Sequence, residues 1–213
     1  MPMNSNNSSP LIEPSKGIIV DLGTGDGRFV YQSARQNPGR FYIGIDASAN
    51  SLEKLSERIH RKPAKGGLKN ALFIQAAVEA LPEELDGAAN EVHIHFPWGS
   101  LLKGVATGDE TILKNIRRIC APDAVLEVII GVDKMRDAGE LARLQIAHIS
   151  REFVENTLIS IYDKCGFHIN EYGEFQPGNW PDLCTTWGQR LRTNDKRTLI
   201  YLIAKSSTTG CSR

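Results

Sequence analysis

The sequence predicts one α/β domain built on a seven-stranded, mostly parallel sheet whose last strand is antiparallel. Three observations lead there. Short apolar runs alternate with segments of helical periodicity along most of the chain. The first apolar run passes directly into a glycine turn and a helix, DLGTGDGRFV (21–30). The last two strand-like runs follow each other with no helical pattern between them, which suits an antiparallel hairpin at a sheet edge.

Taken in order, GIIVDL (17–22) is a continuous apolar run and reads as a buried strand. RFVYQSARQ (28–36) has helical spacing, and FYIGID (41–46) is a second strand. SLEKLSERIHRK (51–62) is an amphipathic helix with Leu52, Leu55 and Ile59 on one face. ALFIQAA (71–77) and EVHIHF (91–96) are the third and fourth strands. Val92, Ile94 and Phe96 alternate along the fourth, which stops at Pro97 and leaves Trp98 on a loop. TILKNIRRIC (111–120) is a helix and AVLEVIIGV (124–132) the fifth strand. Residues 133–150 form a polar, partly helical insertion. REFVENTLISIYDKCGF (151–167) is a helix closed by Gly166. HINEYGEF (168–175) and RTLIYLIAK (197–205) are the last two strands. The domain spans 16–206, between disordered tails at 1–15 and 207–213.

With 213 residues the chain can bury a full core in one domain. No run approaches the roughly 18 apolar residues of a membrane span, and the N-terminus lacks the apolar stretch of a signal peptide. The four cysteines, Cys120, Cys165, Cys184 and Cys211, show no metal-binding spacing, so reduced thiols in the cytoplasm, Cys165 in the core and no metal are expected. Twenty-five basic residues balance 25 acidic ones, so any nucleic-acid surface must come from local clustering. Two clusters exist. RIHRKPAKGGLK (58–69) carries five cations and no acid, and QRLRTNDKR (189–197) carries four against Asp195. Solvated surface is the plain alternative for each.

The glycine turn does not match a dinucleotide fingerprint, because Arg28 stands where the third glycine of GxGxxG belongs. That disfavours a nicotinamide oxidoreductase. The turn is GxGxG, at Gly23, Gly25 and Gly27, preceded by Asp21. Asp46 closes the second strand and Glu79 follows the third. Acids after three successive strands repel a pyrophosphate and suit a cation. S-adenosylmethionine, with its sulfonium and ammonium, fits this set, and Asp46 can accept both ribose hydroxyls. The expected architecture is therefore a Rossmann-like class I S-adenosylmethionine-dependent methyltransferase.

Ligands of open α/β sheets bind beyond the carboxyl ends of the strands. Trp98 stands there, after the fourth strand, where a planar substrate could stack. Trp187, beside the second basic cluster, could complete a clamp around a flipped base. Each is also readable as an ordinary, partly buried aromatic, the only reading given to Trp180.

DLGTGDG, YIGID, KPAKGGL, HFPWGSLL and TTWGQRL together resemble the aminoglycoside-resistance 16S rRNA methyltransferases of the Kam/Npm type, over residues 17–205. The resemblance implies methylation of N1 of the decoding-site adenine, number 1408, in helix 44 of the 30S subunit; nothing in the sequence suggests more than a monomer. It implies that Asp21, Gly23, Gly25 and Asp46 hold S-adenosylmethionine, that Ala77, Val78 and Glu79 line its adenine, and that His95, Pro97 and Ser100 border the pocket. Trp98 and Trp187 would clamp the target base. Arg61, Lys62 and Lys65, with Arg143, Arg190 and Arg197, would grip rRNA phosphates. Two departures stand out: Asp195 replaces a family arginine, and the Ser/Asn-rich N-terminus is shorter than the segment with which the family contacts rRNA.

Adenine N1 carries its own lone pair, so no general base is required, and none is assigned; His93 and His95 alternate on a strand, where histidine is more often structural. Two rivals remain. A tRNA guanine-N7 methyltransferase shares the glycine loop but carries an FPDPW-type motif where this chain has FPWGSLL. A non-catalytic RNA-binding protein could keep the fold, although the intact acids at 21, 46 and 79 argue for cofactor use.

Overall fold

The computed structural model describes residues 17–133, 135–146, 149–176 and 199–208. Seven strands, β1 (Ile18–Leu22), β2 (Phe41–Asp46), β3 (Ala71–Gln75), β4 (Ala89–His95), β5 (Cys120–Ile130), β6 (Phe167–Phe175) and β7 (Leu199–Ser206), form one sheet in the order β3-β2-β1-β4-β5-β7-β6. The first five pair in parallel, and β7 runs antiparallel between β5 and β6. The edge hairpin expected from the sequence is present; residues 177–198, which connect its strands, lie outside the described residues. The strand order reverses between β1 and β4, so the carboxyl ends of those two strands flank the switch point where open α/β sheets bind ligands.

Two apolar layers cover the sheet. On one face α1 (Arg28–Gln36) and α2 (Ala49–Ile59) bury Val30, Tyr31, Ala34 and Ile59 against Ile19, Tyr42 and Ala71. The other face holds the larger core. There α3 (Gly99–Thr107), α4 (Glu110–Ile119) and the C-terminal helix pack on Val20, Val92, Ile94, Leu126 and Val128. Strand alternation sorts β4 cleanly: Val92 and Ile94 are fully buried in the larger core, while Glu91, His93 and His95 share the opposite face.

The structure differs from the sequence reading, or adds to it, in five places. Residues 99–107 are helical, although GSLLKGVAT has glycines that weaken helix propensity. Burial decides it, because Leu101, Leu102, Val105 and Ala106 enter the core together. Helix α2 ends at Ile59 rather than 62; Pro63 disfavours helical geometry in the residue before it, and Pro63–Lys65 makes a separate 3₁₀ turn. The third strand stops at Gln75, so Ala76 and Ala77 leave the sheet edge. The insertion is less polar than expected: α5 (Ala138–Arg143) is followed by Leu144, Ile146 and Ile149, all in the main core. The C-terminal helix contains a π turn, Val154–Leu158, between α6 (Arg151–Phe153) and α7 (Ile159–Lys164). Gly166 ends it in a left-handed conformation, and Cys165 is buried, both as expected.

Candidate active site

A cavity of about 590 Å³ opens at the switch point. Its floor is the glycine turn. Gly23, Gly25 and Gly27 all have positive φ, at 74°, 58° and 72°, a conformation side chains resist. The turn is sewn to the end of β2. Gly23 and Thr24 donate backbone N–H groups to the Ile45 carbonyl at 2.8 and 3.1 Å, and Gly25 donates to Asp46 Oδ2 at 2.8 Å. These three amides are therefore already engaged and are not available to a pyrophosphate.

The cavity wall carries acids. Asp21, Asp26, Asp46 and Glu79 all line it. Asp21 is 4% exposed and accepts a hydrogen bond from Thr24; burial raises its pKa, with His95 and the Thr24 hydroxyl acting the other way. Asp46 also accepts from the Ser48 N–H at 2.8 Å. Its role in fastening the glycine turn was not visible in sequence, because it depends on which loop lies beside β2. Ala77, Val78, Glu79, His95 and Ser100 line the same cavity. Pro97 does not: it is buried and absent from the lining, whereas Phe96, held at φ 52°, takes that place. Phe96 is a residue the sequence reading missed; its strained backbone is legible only in the fold.

Trp98 lines the rim and remains 54% exposed. Arg61, Lys62 and Lys65 are exposed in the connection after α2. Arg143 is exposed on α5, and its Nε and Nη2 donate to Glu140 at 2.8 and 2.6 Å, so a phosphate must compete with that carboxylate. Trp187, Arg190 and Arg197 lie outside the described residues.

Beneath the cavity runs a polar network also absent from the sequence reading. His95 Nε2 donates to Glu127 Oε1 at 2.6 Å, and His93 donates to the same oxygen at 3.2 Å and to Glu91 at 3.4 Å. Arg40 pairs with Glu91. Glu127 stands opposite His93 on β5, a pairing that needs the register and not just the sequence. The donor atoms of His93, His95 and Glu127 lie within 4.8 Å of one another, and in this arrangement protons join them. Burial opposes a charge on His93, but hydrogen bonds to Glu127 and Glu91 and the negative charges of Glu127 and Asp21 outweigh it, pushing its pKa up to about 9. Because this folded-state value lies above the ordinary 6.5, the stabilisation is full below pH 6.5 and is lost as pH rises through 9. The melting temperature should therefore fall between pH 7 and pH 9, measured by differential scanning calorimetry. In His93→Gln that slope should flatten.

A mostly parallel sheet ending in an inserted antiparallel strand, with an acid-lined cavity over a GxGxG turn whose amides are occupied, defines a class I S-adenosylmethionine-dependent methyltransferase. Within that class, the family described as NpmA, 16S rRNA (adenine(1408)-N(1))-methyltransferase, matches residues 1–206, and the chain belongs to it. A curated 16S rRNA (adenine(1408)-N(1))-methyltransferase of Escherichia coli is 33% identical over 184 residues, 86% of this chain and 84% of the relative. The crystal structure of the aminoglycoside resistance methyltransferase NpmB1 is similar at a TM-score of 0.80 and 42% identity, covering 92% of this chain and 90% of that one. A mutant of the 16S rRNA (adenine(1408)-N(1))-methyltransferase from Catenulisporales acidiphilia, solved with cosubstrate SAM, has a TM-score of 0.83 at 29% identity, covering 94% of this chain and 89% of that one.

Proposed function

We propose that this enzyme methylates N1 of adenine 1408 in helix 44 of 16S rRNA, within the assembled 30S subunit, acts as a cytoplasmic monomer, and so confers aminoglycoside resistance. The observation that carries the reading is an exposed tryptophan, Trp98, on the rim of an acid-lined cavity of cofactor size. The described residues contain no helix long and apolar enough to cross a membrane.

The cavity fits S-adenosylmethionine by its donor and acceptor set. Asp21 and Asp46 offer carboxylates to cationic and hydroxyl groups, and Ala77, Val78 and Glu79 line the side formed after β3. Bound there, the cofactor supplies an electrophilic methyl on a sulfonium. Adenine N1 has its own lone pair and no proton to lose, so the protein's part is to hold the base against that methyl. Trp98 offers one stacking face from above the cavity, and Trp187 is assigned the other. Holding two reactants in attack geometry can supply on the order of 7–11 kcal/mol. Arg61, Lys62, Lys65, Arg143, Arg190 and Arg197 are assigned to rRNA phosphates. The product keeps a positive charge and loses the N1 acceptor, so an aminoglycoside that donates a hydrogen bond to N1 meets repulsion and an unpaired donor.

The test is transfer of labelled methyl groups to purified 30S subunits, with bulk tRNA in parallel, followed by reverse transcription across helix 44. A methyl on N1 blocks base pairing and halts the transcriptase, so a stop at adenine 1408 is expected. Label in tRNA without that stop would return the protein to the guanine-N7 alternative.

A further inference from the structure

We propose that Tyr31 is a positioning residue for the RNA substrate: it anchors the basic loop 60–68 to α1, in the shape that presents Arg61, Lys62 and Lys65. The proposal rests on the assignment of that loop to rRNA. Tyr31 is 5% exposed, and its hydroxyl donates to the Gly66 carbonyl at 2.9 Å across 35 residues of sequence. The guanidinium of Arg58 lies 4.8 Å from the centre of its ring, and that of Arg35 lies 5.9 Å away. Arg58 thus belongs to the anchor, although sequence alone groups it with the phosphate-binding cations.

The loop itself is tightly closed. Lys65 and Gly67 both donate backbone N–H groups to the Lys62 carbonyl, at 2.8 and 3.2 Å, Gly66 donates to Pro63 at 2.9 Å, and Leu68 returns to Ile59 at 2.9 Å. Gly66 sits at φ 87°, and a Cβ there would meet the Tyr31 hydroxyl at 2.7 Å and Arg58 Nε at 2.8 Å. A Cβ on Gly67 would lie 1.6 Å from the Arg61 carbonyl oxygen. The two glycines of KPAKGGL therefore let the chain close beneath its cations and reach the tyrosine. A run of like charges repels itself and would otherwise splay, and ordering it upon binding would cost conformational entropy. Tyr31 meets that cost during folding. It stands one turn into α1, whose first turn includes the Tyr31 N–H bond to the Gly27 carbonyl at 3.0 Å, so the same helix links the loop to the cofactor turn.

The experiment is steady-state methylation of purified 30S subunits by the full-length Tyr31→Phe enzyme, which keeps the ring and loses only the hydroxyl. KM for 30S should rise roughly three- to tenfold, the scale of one hydrogen bond, with kcat and the dissociation constant for S-adenosylmethionine unchanged. Gly66→Ala, which crowds the same contact, should show the same split. An unchanged KM in both variants overturns the anchor, even if the melting temperature falls, because the tyrosine would then be only structural. Weaker cofactor binding or a lower kcat with normal KM overturns it too, by making Tyr31 a support of the cofactor site. Arg61→Glu separates the layers. If it leaves KM for 30S unchanged, the rRNA assignment of the loop fails and the proposal with it; if it raises KM while Tyr31→Phe does not, the anchor alone fails.

Discussion

Trp98→Ala should lower kcat/KM on 30S subunits by roughly ten- to a hundredfold, because stacking one base on an aromatic contributes about 1–3 kcal/mol and each 1.36 kcal/mol is about tenfold in rate. The tryptophan is 54% exposed, so its removal opens no core cavity and the melting temperature should hold. It lies on the rim after the end of β4, whereas the carboxylates assigned to the cofactor come from β1, β2 and the turn after β3. Isothermal titration should accordingly find S-adenosylmethionine affinity nearly unchanged. Trp98→Phe, which keeps a stacking surface, should recover much of the loss. Full activity in the alanine variant would end the clamp model.

Asp46→Ala should weaken S-adenosylmethionine binding by more than about a hundredfold, read by titration calorimetry. Hydrogen bonds to a charged group contribute about 1.5–3 kcal/mol each, and the assigned role has two ribose hydroxyls on this carboxylate. The same side chain accepts from Gly25 and Ser48, both at 2.8 Å, so its loss also frees the glycine turn from β2. Asp46→Asn keeps a side-chain oxygen for those amides and should lose less. A change of only a few-fold in the alanine variant would remove Asp46 from the ribose and leave it as a loop fastener.

Much of this site was legible because its parts are local. Asp21, the three glycines and Asp46 sit at strand ends, and a strand end followed by glycine and acid is readable in one dimension. Glu79 and Trp98, which line the same cavity, are readable the same way. What was misread depended on neighbours distant in sequence. Pro97 lies between two cavity-lining residues yet is buried, because Phe96 adopts a left-handed backbone. Arg58 reads as one of five loop cations, and only the packing of α2 on α1 puts it against Tyr31. Residues 99–107 carry two glycines that lower helix propensity and give no clear signal in sequence, and burial of four apolar side chains makes them helical.

By itself the sequence determined the α/β class, the strand that carries the glycine turn, the acids around it, and the motifs that mark the family. Each follows from periodicity or from residue types held within a few positions of each other. The tertiary structure alone decided that the turn's amides are occupied by β2, that His93 lies between Glu127 and Glu91, and that Tyr31 ties down the basic loop. These are pairings across strands and helices tens of residues apart. Their geometry comes from sheet register and packing, which bring together groups whose spacing along the chain carries no signal.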